Sequence, residues 1–362
     1  MDASWHQSSE VLNRLTSEAK HLGFSKLGIT DPDVSAHTPF LRQWLADGHH
    51  ASMQWIEAHQ ALREDPRQLQ PNTQRVISVA LDYKPEAMND WDVLDSPDLA
   101  YISRYALGRD YHKLFRKRLN RLSTWLHDAV TPHGYRVFSD SAPILEKHLA
   151  EKAGLGWIGK HTLLLSREGG SWFFLGEILT DCPLPVTEVT EQPRCGSCTA
   201  CIDVCPTKAF VAPYQLDAGK CISYLTIEHK GVIPESLRAP MGNRVFGCDD
   251  CQLVCPWNRY AKLGDPAFRP RHGLDHITLL ELFNWDEARF LEVTEGSPIR
   301  RAGYIKFLEN IAIGLGNGSP SAEVIAALNQ RFGQYGETLD AHIIWALSQL
   351  SSRAETTPSG ST

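Results

Sequence analysis

Eight of the nine cysteines in this 362-residue chain lie between positions 195 and 255. They open as Cys195-Gly-Ser-Cys198-Thr-Ala-Cys201-Ile-Asp-Val-Cys205-Pro206, continue with a single Cys221, and close as Cys248-Asp-Asp-Cys251-Gln-Leu-Val-Cys255-Pro256. The first run is C-x2-C-x2-C-x3-C-P, the spacing by which bacterial ferredoxins hold [4Fe–4S] clusters. Three thiolates two residues apart reach one cubane, while the fourth, just ahead of proline, serves the neighbouring cluster. That crossing rule assigns Cys195, Cys198, Cys201 and Cys255 to one cluster, and Cys205, Cys221, Cys248 and Cys251 to the other. Structural zinc more often uses two separated cysteine pairs, and disulfides need an oxidising compartment.

Asp140 stands just past a short apolar segment, in Asp140-Ser-Ala-Pro143-Ile-Leu-Glu146. The simpler reading is helix capping, with Asp140 or Ser141 as N-cap, Pro143 in the first turn and Glu146 completing a capping box. The sharper reading is a general acid, because burial at the mouth of a sheet raises a carboxyl pKa. Gly154-Leu-Gly156-Trp-Ile-Gly159 matches the dinucleotide fingerprint G-x-G-x-x-G, but that fingerprint needs a strand before it and a helix after it. Here the order is reversed. The glycines instead suggest backbone brought close to something flat and bulky. Ser103 through Lys113 is rich in polar and aromatic groups and precedes a helix carrying Arg116, Lys117, Arg118 and Arg121. Its default role is a solvated face, and its sharper role is phosphate binding. Lys230 and Arg238 through Arg244 form a second basic island, while His112, His148, His161 and His229 lack the paired spacing of metal ligands.

The elements that must position these groups read as an α+β multidomain chain. Helical periodicity marks residues 9–22, 39–60, 111–127 and 144–153. Strands are expected at Lys26–Thr30, Arg75–Tyr83, Tyr135–Phe138, His161–Ser166 and Ser171–Leu179, the last two joined by an Arg167–Gly170 hairpin turn. Residues 1–185 therefore form an α/β domain, 186–262 a ferredoxin-like domain, and 263–362 a tail of short helices. The net charge of −7 argues against a general nucleic-acid binder without excluding a local basic face. No basic-then-apolar leader opens the chain and no apolar run would span a bilayer, so a cytoplasmic location is expected.

With the cysteine runs, Asp140-Ser-Ala-Pro143, Ala153-Gly-Leu-Gly-Trp-Ile-Gly-Lys160 and Gly242-Asn-Arg-Val-Phe-Gly-Cys-Asp-Asp-Cys-Gln252 in place, the chain resembles the epoxyqueuosine reductases over nearly its whole length, from Arg63-Glu-Asp-Pro66 to the tail. That family is cobalamin-dependent, carries iron–sulfur clusters, and is related to reductive dehalogenases. It removes the epoxide oxygen of epoxyqueuosine at the tRNA wobble position. The resemblance implies two [4Fe–4S] clusters on the eight cysteines, Asp140 as proton donor, and a corrinoid pocket walled by Arg63, Ser103, Gly154, Gly156, Gly159 and Lys160. Some members carry Cys where this chain has Ser103, so no cysteine role transfers there. It further implies Lys230 facing tRNA, a HEAT-like tail, a monomer, and an electron donor such as a flavodoxin or ferredoxin. Two other readings stand beside it: a dehalogenase-like enzyme on a small substrate, and a non-catalytic ferredoxin-type carrier. A bare carrier would not need the α/β domain ahead of its clusters.

Overall fold

The computed structural model describes residues 9–86 and 90–356. A four-stranded sheet organises the N-terminal half, in the order Lys26–Thr30, Arg75–Asp82, Phe173–Thr180, Tyr135–Phe138, with every pair antiparallel. Apolar residues on both faces of the two central strands require cover on both sides. On one face Ile77, Val79, Leu81 and Ile178 pack against the helices Ser9–His21 and Tyr111–Ala129 through Val11, Leu15, Phe115 and Leu119. On the other, Val76, Ala80 and Leu179 lie under the short helix Glu146–Lys152, whose Leu149 and Ala150 cover them. That second face is not wholly apolar. Ser78 and Glu177 sit opposite each other in register, fully buried.

Most expected elements recur within a residue or two, and the departures have local causes. The stretch at 39–60 breaks into Thr38–Ala46, Gln54–Ala58 and further short turns, with Gly48 and Ala51 at positive φ between the pieces. The Arg167–Gly170 turn exists, closed by a Ser166–Gly170 bridge. Its flanks do not pair as one hairpin, however. Leu164–Leu165 pairs with Trp157–Ile158, whereas Phe173–Thr180 enters the main sheet. Gly156 permits the first pairing, since a Cβ there would lie 1.9 Å from the Leu165 carbonyl oxygen. The close approach expected of the Gly154–Gly159 loop is thus, at Gly156, an approach to the chain's own strand. The helix after Asp140 starts only at Glu146, with Leu145 at its N-cap and no side-chain cap bond. Asp140 and Ser141 therefore do not cap it.

Downstream, the two cysteine runs flank two short helices, Ala200–Asp203, which carries Cys201, and Asp250–Leu253, which carries Cys251. The strand Arg244–Phe246 pairs in parallel with Tyr101–Ile102, joining the cysteine segment to the N-terminal half. Helices Tyr304–Asn317 and Glu337–Thr356 pack together at the C-terminal end. Their core is continuous with Ile102, Leu107, Leu225 and Phe246.

One glycine tests the second face of the sheet. A Cβ on Gly28 would stand 2.0 Å from the backbone oxygen of Ala153. Gly28→Ala should destabilise the fold by about 1–3 kcal/mol, read as a lower midpoint in chemical denaturation; an unchanged midpoint would mean that the Ala153 segment yields freely.

Candidate active site and thiol clusters

Asp140 occupies a tight turn at φ +60°, a left-handed conformation unusual for a non-glycine residue. Its Oδ2 accepts a 2.7 Å hydrogen bond from the Tyr111 hydroxyl and lies 3.4 Å from Nε2 of His112. The first turn of the Tyr111–Ala129 helix presents both partners, and Asp110 caps that helix through the His112 N–H. Asp110 Oδ1 also contacts His112 Nδ1 at 2.6 Å. His112 therefore bridges two carboxylates. Hydrogen bonding to Asp110 first, then to Asp140, pushes its pKa up to about 9. Burial presses the Asp140 carboxyl upward, but the bonds from His112 and Tyr111 outweigh it and hold it below the ordinary carboxylate range. The proton of this pair rests on the imidazole.

Behind Asp140 lie two further carboxyls that the sequence did not single out as functional. Burial, then the charge of Asp140, lifts Glu146 to about 7. Burial, then Glu146 and Asp140, pushes Glu177 far above its usual range. Both Glu177 carboxyl oxygens lack a partner, as do the buried hydroxyls of Thr30, Ser78 and Ser139, and Nε2 of His161. Buried polar atoms are normally satisfied. Ser78 and Glu177, opposite each other in register, mark a place where a polar ligand would complete the structure.

The remaining expected site residues fall in three places. Arg63 is buried, donates to the carbonyls of Ile56 and His59, and lies 5.4 Å from the Trp55 ring centroid. Ser103 is buried and donates to Asp249 at 2.7 Å. Lys160 reaches the first cysteine run, donating to the carbonyls of Gly196 and Cys198 at 2.7 and 2.9 Å. Gly154 and Gly159 flank the Trp157–Ile158 strand. Lys230 is exposed. Of the basic helix, Lys113, Arg116, Lys117 and Arg121 are exposed, but Arg118 turns inward to Asp265 at 2.5 Å. Arg238 and Arg244 are likewise structural. Arg238 donates to Ile233 O, and Arg244 pairs with Asp250.

The cysteines of the two runs lie near one another. Cys195, Cys198, Cys201 and Cys255 line a single cavity of about 230 Å³. Burial, then the proximity of Cys255, Cys195 and Cys198, pushes the Cys201 thiol up to about 11. Burial and then Cys221 raise Cys251, Cys205 bears on Cys221, and Cys251 on Cys248. Cys201 also acts on Cys251, so the two groups are neighbours.

Comparison with known proteins agrees with this geometry. A family model described as a 4Fe-4S double cluster binding domain matches residues 194–258, and one described as epoxyqueuosine reductase QueG, DUF1730, matches residues 63–141. The epoxyqueuosine reductase of Pseudomonas aeruginosa is 54% identical over 91% of this chain and 91% of its own length. That of Escherichia coli is 52% identical over 93% and 90%. The chain belongs to the epoxyqueuosine reductase family. As such it is an oxidoreductase with a double iron–sulfur cluster domain. Among solved structures, an epoxyqueuosine reductase with an epoxyqueuosine-modified tyrosine tRNA stem loop superposes with a TM-score of 0.85 at 28% identity, covering 95% of this chain and 91% of that one. The Bacillus subtilis enzyme, solved with its catalytic aspartate loop swung out of the active site, gives 0.81 at 27% identity, covering 97% and 95%.

The His112 bridge can be checked directly. Its folded pKa lies above the unfolded value of about 6.5. Its interactions therefore stabilise the protein fully below about pH 6.5 and fade as pH rises toward 9. In a histidine NMR titration, Asp140→Asn should lower the His112 pKa without returning it to normal, because Asp110 remains. An unmoved value would show that Asp140 does not share the imidazole proton.

Proposed function

We propose that this protein reduces the epoxide of epoxyqueuosine at the wobble position of tRNA to queuosine, with two [4Fe–4S] clusters, cobalamin and Asp140 as proton donor. The observation that carries the reading is identity above one half, over nine-tenths of the chain, to named epoxyqueuosine reductases. Cys195, Cys198, Cys201 and Cys255 would hold the outer cluster, and Cys205, Cys221, Cys248 and Cys251 the inner one. Among the described residues no three His, Cys, Asp or Glu side chains converge on a single ion. The C-x2-C-x2-C-x3-C-P spacing of the first run suits thiolates around a cubane better than tetrahedral zinc.

The N-terminal domain fits cobalamin in its chemistry. A corrinoid carries a rim of amides, and the unpartnered Glu177, Ser78, Thr30, Ser139 and His161 atoms are the donors and acceptors such a rim requires. Arg63, Ser103 and the Gly154–Lys160 segment would wall the pocket. When bound, reduced cobalamin supplies the two electrons, delivered to it singly by the clusters.

Converting the epoxide to an alkene and water consumes two electrons and two protons. The departing oxygen is a poor leaving group until it is protonated. Asp140 Oδ2, adjoining protonated His112, keeps a proton at hand near neutral pH, and Tyr111 fixes the carboxyl's orientation. The second proton comes from solvent. The substrate base must leave its stack to reach this site. The exposed cations Lys113, Arg116, Lys117, Arg121 and Lys230 would grip phosphates, and the C-terminal helices, read as HEAT-like, would face the RNA. A cytoplasmic monomer completes the reading; among the described residues no helix is long and apolar enough to cross a membrane.

The deciding assay is anaerobic: reconstituted protein, reductant, cobalamin and tRNA bearing epoxyqueuosine, digested and weighed. The product nucleoside should be lighter by one oxygen. An unchanged nucleoside, with clusters and corrinoid verified, would refute the assignment. Asp140→Asn should keep both cofactors and lose about 10²–10⁴-fold in turnover; wild-type turnover would remove Asp140 from the chemistry. Affinity for the stem loop should fall steeply with salt if phosphates are held by cations, and a flat response would dismiss them.

A further inference from the structure

The outer thiol group opens to solvent, and the residues around that opening have a character of their own. Of the nine cysteines only Cys198 is exposed. The cavity it lines with Cys195, Cys201 and Cys255 is rimmed by Lys160, Arg194, Arg259, Trp257 and Tyr260, and no Asp or Glu lines it. In a chain of net charge −7 this is a local reversal of sign. No thiol of the inner group is exposed. Asp249, between its Cys248 and Cys251, is bonded to Ser103 at the wall of the proposed corrinoid pocket. Electrons bound for the interior therefore have their entrance at Cys198.

Cations beside an anionic cluster could serve only to balance its charge. Lys160 answers that description, because its ammonium donates to two carbonyls of the cysteine loop. The two arginines do not. Arg194 is exposed, and its nearest acid is Glu191 at 3.8 Å. Arg259 is exposed, lies 5.0 Å from the Tyr260 ring centroid, and forms no ion pair among the described residues. Beside them are Trp257 and Tyr260, the latter 50% exposed. A small apolar centre with a charged rim is the make-up of a brief, electrostatically steered encounter.

We infer that this rim is the docking face for a small acidic one-electron carrier protein, whose carboxylates meet Arg194 and Arg259 while its redox centre faces Cys198. The inference rests on the cluster assignment proposed above. RNA phosphates would also suit two arginines, but none of Asp140, Tyr111 and His112 lines this cavity. The exposed thiol favours an electron donor here. Each encounter passes one electron from the carrier to the outer cluster, so two encounters supply one turnover.

The test uses full-length protein with both clusters reconstituted, and a reduced flavodoxin, an acidic flavoprotein, as probe. Stopped-flow absorbance follows flavodoxin oxidation and cluster bleaching in wild type and in the double variant Arg194→Glu, Arg259→Glu. Wild type should be reduced rapidly at low salt and more slowly as salt rises. The variant should be slower by about 10–100-fold at low salt, with cluster potentials in a redox titration unchanged and the rate with dithionite, an anion itself and so compared at high salt, also unchanged. Equal flavodoxin rates in the two proteins overturn the proposal. Shifted potentials or an equal loss with dithionite overturn it too, because the arginines would then be holding the cluster. If the variant keeps its flavodoxin rate but loses stem-loop affinity in an anisotropy titration, the face belongs to RNA. A wild-type protein that shows no cluster spectrum after reconstitution fails the earlier assignment itself, which is a separate and visible outcome.

Discussion

One buried carboxylate ties the cysteine segment to the rest of the chain. Asp249 is 2% exposed and lies between Cys248 and Cys251. It accepts hydrogen bonds from Ser103 Oγ at 2.7 Å, the Arg104 N–H at 2.8 Å and the Tyr101 hydroxyl at 3.0 Å. Burial pushes its pKa upward, and those three donors work against that push. Removing its donors would strand the charge at a cost of several kcal/mol, so segments 101–104 and 248–251 are fixed to each other. Arg104 extends the network by pairing with Asp90 and lying 4.7 Å from the Trp172 ring centroid. The parallel pairing of Tyr101–Ile102 with Arg244–Phe246 brings Asp249 within reach of these donors. The inner thiols and Ser103 consequently share one rigid piece of structure.

Around Asp140 the organising force is the opposite one, charge held apart by environment. Asp140 and Asp110 flank His112 and are both held below the usual carboxylate range, while Glu146 and Glu177, packed against the sheet, are raised. Neighbouring carboxyls with pKa values pushed in opposite directions are the mark of acid–base chemistry. The neutral Asp140 that a general-acid reading expects is not the state favoured here. The proton lies on His112 instead, 3.4 Å away. Ionised Asp140 with protonated His112 and neutral Asp140 with neutral His112 carry the same total charge. Exchange of the proton between the two groups therefore draws none from solvent.

The sequence made the cysteine chemistry plain because ligand spacing is a local property, set within four residues. Strands such as Lys26–Thr30 and Tyr135–Phe138 were equally legible, being short apolar runs between turns. The pairing of Phe173–Thr180 was not. Its neighbours Arg75–Asp82 and Tyr135–Phe138 lie tens of residues away, and nothing local distinguishes sheet insertion from a hairpin. The role of His112 is hidden in the sequence for a related reason. It lacks the paired spacing of a metal ligand, and Asp110-Tyr111-His112 is a capping turn whose second carboxylate arrives from residue 140. Glu177 could not be seen at all. In sequence it interrupts an apolar strand, and only the register with Ser78 and the cover by Glu146–Lys152 show that it is buried without a partner.

Arg118 and Arg194 show why composition misleads about partners in a chain of this charge. Arg118 belongs to a basic helix yet is spent on Asp265 inside the fold, whereas Arg194 follows an acidic segment, with Glu188 and Glu191 before it, and is exposed. Which cations are free is decided by packing, through the periodicity that turns one helix position in four toward the core. On the proposed reading two anionic macromolecules must approach one acidic protein. Long-range repulsion is screened beyond about 8–10 Å at physiological salt. Each partner then senses only the cations at its own face, and the RNA and the electron carrier need not compete for them. The acidic remainder of the surface disfavours every other approach, so the net charge of −7 supports the orientation that the local cations select.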